Sequence, residues 1–247
     1  MRAILVAAAL MFAGGVAHAA SLPRGFVDAK TVIPDLIVEM RYTTAQNFMG
    51  RAVPGYLAPR CILTKRAADA LSCAADHLRK QGFAMKVYDC YRPQRAVNAF
   101  VKWGRNLRDQ EMKSAYYPEV DKRRLFMDGY IAPRSGHSRG STVDVSIVRL
   151  DGDLAPFAAG ATGIRACDSK EGTRTDDGSA DMGTGFDCFS RRSHTASPSV
   201  SPEQRNHRQL LRGAMRQCRF INNRNEWWHY TLSGEPFPNT YFDFPVE

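Results

Sequence analysis

Residues 135–148 read Ser-Gly-His-Ser-Arg-Gly-Ser-Thr-Val-Asp-Val-Ser-Ile-Val. The second half, Thr142 to Val148, is rich in β-branched residues and alternates. Val143, Val145 and Ile147 fall on one face of a strand, and Asp144 and Ser146 on the other. One face is thus expected to pack while the other carries a carboxylate. His137 and Asp144 are seven residues apart, an odd separation that sends them to opposite faces of a straight strand. They converge only if the chain bends before the strand begins, and Gly136 and Gly140 give it the freedom to bend. A histidine hooked over beside a strand-borne aspartate is the start of a metal site.

A second segment supplies what the first lacks. Glu226-Trp-Trp-His-Tyr-Thr-Leu232 reads as a strand by composition, and His229 falls within that run. The glutamate stands at the lip of that run, beside the turn-forming Asn222-Asn-Arg-Asn225. A catalytic zinc keeps three protein ligands and leaves the fourth position to water, and His137, Asp144 and His229 make one such set. The chemistry then needs a base that reaches the water without binding the metal, a task suited to Glu226. It also needs a cation for the developing oxyanion, and Arg92 is the best placed. His-x6-Asp or Glu-x2-His alone is a weak pattern. Trp227 and Trp228 read as core or pocket wall, and His77, on a helix full of charges, reads as solvated.

Outward from these segments, Thr64 to Gln81 places Ala67, Leu71, Ala74 and Leu78 at helical spacing, with Gly82 as a stop. Phe83 to Tyr88 reads as a strand, Asp89-Cys-Tyr-Arg-Pro93 breaks it, and a second helix runs from about Gln94 through Trp103. A third helix covers Pro202 to about Cys218. Residues 167–188, rich in Gly, Asp, Thr and Ser without apolar period, read as a surface loop, and a disulfide between Cys167 and Cys188 would staple it. Helices and strands interleave without a βαβ rhythm. The expected fold is therefore α+β, a single domain with a largely antiparallel sheet flanked by helices and a metal site in a cleft on the sheet.

The first residues bear on compartment. Met1-Arg2 precedes an uncharged apolar run ending in Ala17-His-Ala19, the pattern of a secretory signal peptide over residues 1–19, which leaves a domain over 20–247. No later segment is long and apolar enough to span a bilayer. Six cysteines, none in a CxxC, read as three disulfides in an exported chain. The formal charge of +9 is spread along the sequence. It reads as solubility and weak attraction to an anionic envelope, with no basic stripe to argue for nucleic acid. The expected location is outside the cytoplasm, in the periplasm.

Taken together and in this order, Asp89-Cys-Tyr-Arg-Pro93, Ser135-x-His-x2-Gly-x3-Asp144 and Glu226-x-x-His229 resemble the D-alanyl-D-alanine dipeptidases of the vancomycin-resistance type. The resemblance extends to Arg41-Tyr-Thr-Thr-Ala-Gln-Asn-Phe48, Arg95-Ala-Val-Asn-Ala-Phe100, Ser190-Arg-Arg-Ser-His194 and Pro238-Asn-Thr-Tyr-Phe-Asp-Phe-Pro245. It implies one zinc ion on His137, Asp144 and His229, Glu226 as base, and Arg92 as the transition-state cation. It further implies substrate contacts at Tyr42, Ser135 and Asp187, the aspartate suiting the free amino terminus of a dipeptide. The 167–188 segment departs from the family in length. Cys90 stands where the family often has glycine, and a disulfide from it to Cys61 would stiffen the chain behind Arg92. The implied partner is a small dipeptide. Two alternatives stay open: a zinc D,D-carboxypeptidase trimming longer wall peptides, and a zinc-bearing module without activity. Export favours D-alanine recycling from wall turnover over antibiotic resistance, which needs hydrolysis in the cytoplasm.

Overall fold

The computed structural model describes residues 22–151, 165–169, 174 and 176–247. The expected signal peptide lies outside the described residues. In chain order the elements are β1 (Phe26–Asp28), β2 (Ile37–Val38), β3 (Ile62–Thr64), α1 (Lys65–Arg79), β4 (Phe83–Asp89), α2 (Gln94–Arg105), α3 (Lys113–Tyr116), β5 (Thr142–Arg149), α4 (Pro202–Gln217), β6 (Phe220–Asn222) and β7 (His229–Leu232).

The central sheet has the order β2-β4-β5-β7-β6; only β2 and β4 pair in parallel. A small antiparallel pair, β1 with β3, lies beside it. The fold is thus the α+β domain with a mostly antiparallel sheet that the sequence pattern implies. β4 is buried along its whole length and β5 along all but its last residue, so these two strands form the floor of the core. Both faces of β5 are covered. Asp144 and Ser146 are as inaccessible as Val143 and Val145, so the face that carries the carboxylate is buried as well.

α1 buries Ala67, Ala68, Leu71, Ala74, Ala75 and Leu78 against β4 and α4. Thr64 caps its start by accepting from Ala67 N. α4 starts with a capping box, in which the Ser201 hydroxyl accepts from Gln204 N while the Gln204 amide oxygen accepts from Ser201 N. Cys73 and Cys218 bond these helices together at the end of α4.

The 167–188 segment is not the surface loop its composition suggested. Among its described residues, Met182, Thr184, Phe186 and Cys188 are buried, and Ala180 N donates to Ile147 O, taking up the part of the β5 edge that β7 leaves free. A few apolar side chains, spaced too irregularly to show a period, anchor it to the sheet; Phe186 stacks on Tyr88 at 4.5 Å. β7 is also shorter than expected. The chain turns through Glu226 and the two tryptophans, with His229 N donating to Glu226 O, before the ladder begins at His229.

Candidate active site

Three neighbouring strands bring three polar residues into one row. Asp144 of β5 lies opposite His229 of β7 and, on its other side, opposite Asp89 of β4. The second pairing depends on a bulge between Val87 and Asp89, which shifts the register so that Asp89 meets Asp144. Bulges beside functional sites commonly re-aim a side chain in this way.

His137 reaches the row from outside the ladder. It sits in a 3-10 turn, Gly136–Arg139, ended by Gly140 at φ +79°. A Cβ on Gly140 would stand 2.2 Å from the Phe26 ring, and one on Gly136 would stand 2.6 Å from Thr142 Oγ1. Both positions therefore require glycine, and the bend inferred from the odd His–Asp spacing is present. The His137 Nδ1–H donates to the Cys90 carbonyl at 2.7 Å, which leaves Nε2 as the free lone pair facing the row.

The atoms His137 Nε2, His229 Nδ1 and Asp144 Oδ1 then converge, with separations of 3.3 Å between the two nitrogens and 3.2 and 3.1 Å from these to the oxygen. Asp144 Oδ1 is buried and accepts no well-aligned hydrogen bond. A tetrahedral ion with bonds of about 2.0–2.1 Å separates its ligands by about 3.3 Å, so this spacing fits a small divalent metal. The other candidate grouping among the described residues, Cys73, His77 and Cys218, offers no such site because its two cysteines are bonded to each other.

Arg92 follows directly on the β4 bulge. Its guanidinium is gripped by Asp89 Oδ2 at 2.8 Å and reaches Asp144 Oδ2 at 3.5 Å. It also lies over the rings of Tyr42 and Phe100, at 5.1 Å from each. It is a fixed cation and not the surface cap that an arginine before proline often is. Asp89, fully buried, also accepts from Tyr56 OH at 2.6 Å and from Cys90 N at 3.0 Å. This carboxylate organises both Arg92 and the adjacent backbone, yet sequence reading gave it no role. The only signal for it was its place at the head of Asp-Cys-Tyr-Arg-Pro.

Glu226 stands beside His229, with Oε2 3.4 Å from His229 Nδ1 and 3.1 Å from the Asn223 amide that donates to it. Burial, reinforced by the charge of Asp144, raises its carboxyl above the usual range. Asp144 is the opposite case. Burial works against its ionised form, but His137 and His229 hold it far below the usual carboxylate value.

The three residues expected to touch substrate face the same space. Asp187 is buried and accepts from Tyr42 OH at 2.6 Å. Its backbone is left-handed at φ +58°, a strained setting for a residue other than glycine, and its neighbour Cys188 is bonded to Cys167. Burial first, then the charge of Asp144, pushes the Asp187 carboxyl well above its normal value. Ser135 accepts from His137 N at 3.3 Å, leaving its own hydroxyl hydrogen to donate elsewhere.

Tyr42, Arg92, Ser135, Asp144, Asp187, Glu226 and His229 line one cavity of about 210 Å³, walled by Trp228, Phe100, Phe189 and Tyr130. That is below the range of typical drug-sized pockets, a size for a very small ligand. Its lining carries three carboxyl groups, Asp144, Asp187 and Glu226, and two guanidiniums, Arg92 and Arg134, with Asp89 buried behind Arg92. A metal cation beside Asp144 and an ammonium beside Asp187 would each meet a carboxyl group there. The disulfide pairs Cys61–Cys90 and Cys167–Cys188 are both present, the first directly behind Arg92.

The sequence pattern of the D-ala-D-ala dipeptidase family matches residues 23–162 and 170–247. A D-alanyl-D-alanine dipeptidase of Enterococcus faecium is 35% identical over 224 residues, covering 90% of this chain and 98% of the relative. One from Streptomyces coelicolor is 38% identical over 84% of this chain and 91% of its own, and one from Escherichia coli is 30% identical over 83% of each.

Proposed function

The chain belongs to the D-Ala-D-Ala dipeptidase family of metallopeptidases, and we propose that it hydrolyses D-Ala-D-Ala to D-alanine with one zinc ion held by His137, Asp144 and His229. The observation that carries this reading is the convergence of three ligand atoms inside a small cavity that also holds Glu226 and Arg92. A structural metal needs neither of the last two, which argues against a module without activity.

When bound, the metal supplies Lewis acidity, which lowers the pKa of water and polarises a carbonyl. Glu226, steered by the Asn223 amide, takes the proton of the attacking water and returns it to the leaving amine. Its raised pKa suits both halves of that task. Arg92, held by Asp89 and clamped between rings, donates to the oxygen that gains charge in the transition state. Its rigidity matters because a donor already in place does not have to reorganise as charge develops.

Asp187 and Tyr42 receive the ammonium of the free amino terminus; burial raises the Asp187 carboxyl, and a cation beside it would favour its ionised form. Ser135 offers its hydroxyl to the substrate. Such an amine pocket accepts a dipeptide and excludes a longer chain, whose corresponding nitrogen is an uncharged amide. The small cavity supports the same choice over a D,D-carboxypeptidase.

The expected signal peptide points to export, and three disulfides with no free cysteine among the described residues support an oxidising compartment. We therefore read the role as recovery of D-alanine from wall turnover in the periplasm. The test is to assay the purified protein on D-Ala-D-Ala, its L-containing isomers and a D-Ala-ended pentapeptide, with metal content measured in parallel. Hydrolysis confined to the D,D-dipeptide and about one zinc per chain is the expected result. Preferential trimming of the pentapeptide would replace this reading with the carboxypeptidase.

A further inference from the structure

Several exposed basic residues have acidic partners: Arg51 pairs with Asp109, Arg95 with Asp243, Arg124 with Asp128 and Lys65 with Asp69. Others form no ion pair among the described residues, and four of these gather on one face. Arg205, Arg212 and Arg216 lie on α4 at separations of seven and four residues, which places them on one side of the helix, and Arg224 follows β6. All four are exposed, and among the described residues none of them forms an ion pair.

These arginines line two shallow grooves that meet at Thr195 and Ala196 and share Arg212. The charges that looked scattered along the sequence are thus gathered by α4 and the turn after β6. Ile221 projects into the same groove as Arg212, Arg216 and Arg224; it belongs to the outermost strand of the sheet and is 63% exposed. None of these residues lines the catalytic cavity.

Like charges four apart on a helix oppose its folding, so helix stability does not account for the Arg212–Arg216 spacing. Guanidinium groups bind phosphate oxygens in a forked, two-point geometry, and an array of them next to an exposed aliphatic side chain suits a surface that is anionic outside and apolar just beneath. We propose that this arginine face docks the protein peripherally on an anionic phospholipid surface, with Ile221 entering the headgroup layer. Ile221 is what favours lipid over nucleic acid. Single-stranded nucleic acids are held by aromatic platforms, and no large aromatic is exposed among the described residues of this face. Docking would be peripheral, since no helix among the described residues is long and apolar enough to cross a membrane.

The experiment is co-sedimentation of the full, disulfide-bonded protein with vesicles of phosphatidylglycerol mixed into phosphatidylcholine, and with phosphatidylcholine alone. Binding is expected only to the anionic vesicles and should fall as salt is raised. Each arginine near such a surface contributes about a fivefold factor in affinity, so Arg212→Gln with Arg216→Gln should weaken binding roughly 25-fold while dipeptide hydrolysis in solution stays unchanged. Ile221→Ser should weaken it further. Equal binding to both kinds of vesicle, or no loss in the double glutamine variant, overturns the proposal. Affinity for a single-stranded RNA equal to that for anionic vesicles, and untouched by Ile221→Ser, would assign the face to nucleic acid instead.

Discussion

The two ends of the cavity proposed as the active site, one read as holding the metal and the other as holding the substrate amine, are built in different ways. At the metal end, Asp89, Asp144 and His229 sit opposite one another on β4, β5 and β7, so their spacing is set by the ladder of the sheet. At the amine end, Tyr42 belongs to a 3-10 turn and Asp187 to an irregular segment, where a left-handed backbone is held by a disulfide, a ring stack and a hydrogen bond. Regular strands hold atoms to within tenths of an ångström, which bond-making needs. Loops on that frame can vary in length without disturbing it, and they set which substrate enters. If this division is right, substitutions at the metal end should act on turnover and metal content, and those at the amine end on substrate choice.

The largest effect should come from the row itself. His229→Ala leaves two ligands and an unbalanced Asp144, so the purified variant should lose both its metal and its hydrolysis of D-Ala-D-Ala while keeping its circular dichroism spectrum. Metal analysis by mass spectrometry is the check. Full metal occupancy in that variant would show that the convergence of His137 Nε2, Asp144 Oδ1 and His229 Nδ1 does not mark the ligand set.

Next come the groups proposed to act on the substrate without holding metal. Glu226→Ala should retain metal and lose at least about 100-fold in kcat, as expected for removal of a general base. Arg92→Ala should lose about 100- to 1000-fold, mainly in kcat, because its guanidinium meets charge that develops during the reaction. Asp89→Asn should reproduce part of the Arg92 loss without touching substrate, since Asp89 grips that guanidinium at 2.8 Å. Steady-state kinetics on metal-replete protein separates the three. A normal kcat in Glu226→Ala with metal bound would remove it as the base.

The same division explains what could be read in advance. The strands and helices that carry the metal end announce themselves by period, and the odd spacing of His137 and Asp144 even required the bend that Gly136 and Gly140 provide. Asp89 was not legible because its role depends on a bulge, and a bulge leaves no mark in an alternating pattern. The amine end was nearly silent. Its segment is held by Met182, Phe186 and a disulfide rather than by a periodic face, so its composition suggested a surface loop although Met182, Thr184, Phe186, Asp187 and Cys188 are buried. Tyr42, Ser135 and Asp187 came only through resemblance, because no local rule links residues brought together from such distant parts of the chain.

At the amine end, Asp187→Ala should leave kcat within a few-fold and raise KM. A charge-assisted hydrogen bond in a buried site contributes about 1.5–3 kcal/mol, or roughly 10- to 100-fold in kcat/KM. The variant should also discriminate less against an N-acetylated dipeptide, which has no ammonium to lose. Unchanged discrimination against the acetylated analogue would take Asp187 out of the amine pocket and leave the loop without a part in selection.

The smallest effect on turnover should come from behind that loop, where Asp177 ties it to the sheet. Its Oδ2 accepts from Arg41 Nη2 at 2.9 Å and from Tyr88 OH at 2.6 Å, and Lys86 donates to its backbone carbonyl. Tyr88 in turn stacks on Phe186, the residue before Asp187. Burial alone would raise the Asp177 carboxyl, but the charges of Lys86 and Arg41 prevail and hold it below the usual 3.8. A carboxyl with a depressed folded pKa adds stability that is complete above its unfolded value and fades as the pH falls through the folded one. Asp177→Asn should therefore lower the melting temperature at neutral pH by roughly 5 °C, since it removes one of the carboxylates that face Arg41 and Lys86 and leaves Glu39 to pair with both. The gap to the parent protein should shrink once the pH is taken below 3.8. KM for D-Ala-D-Ala should rise by only a few-fold, because the disulfide still restrains Asp187. Thermal melts across pH, read beside KM, test this directly. A kcat loss as large as that of Arg92→Ala would break the division between the two ends, because the loop would then be setting the chemistry as well as the choice of substrate.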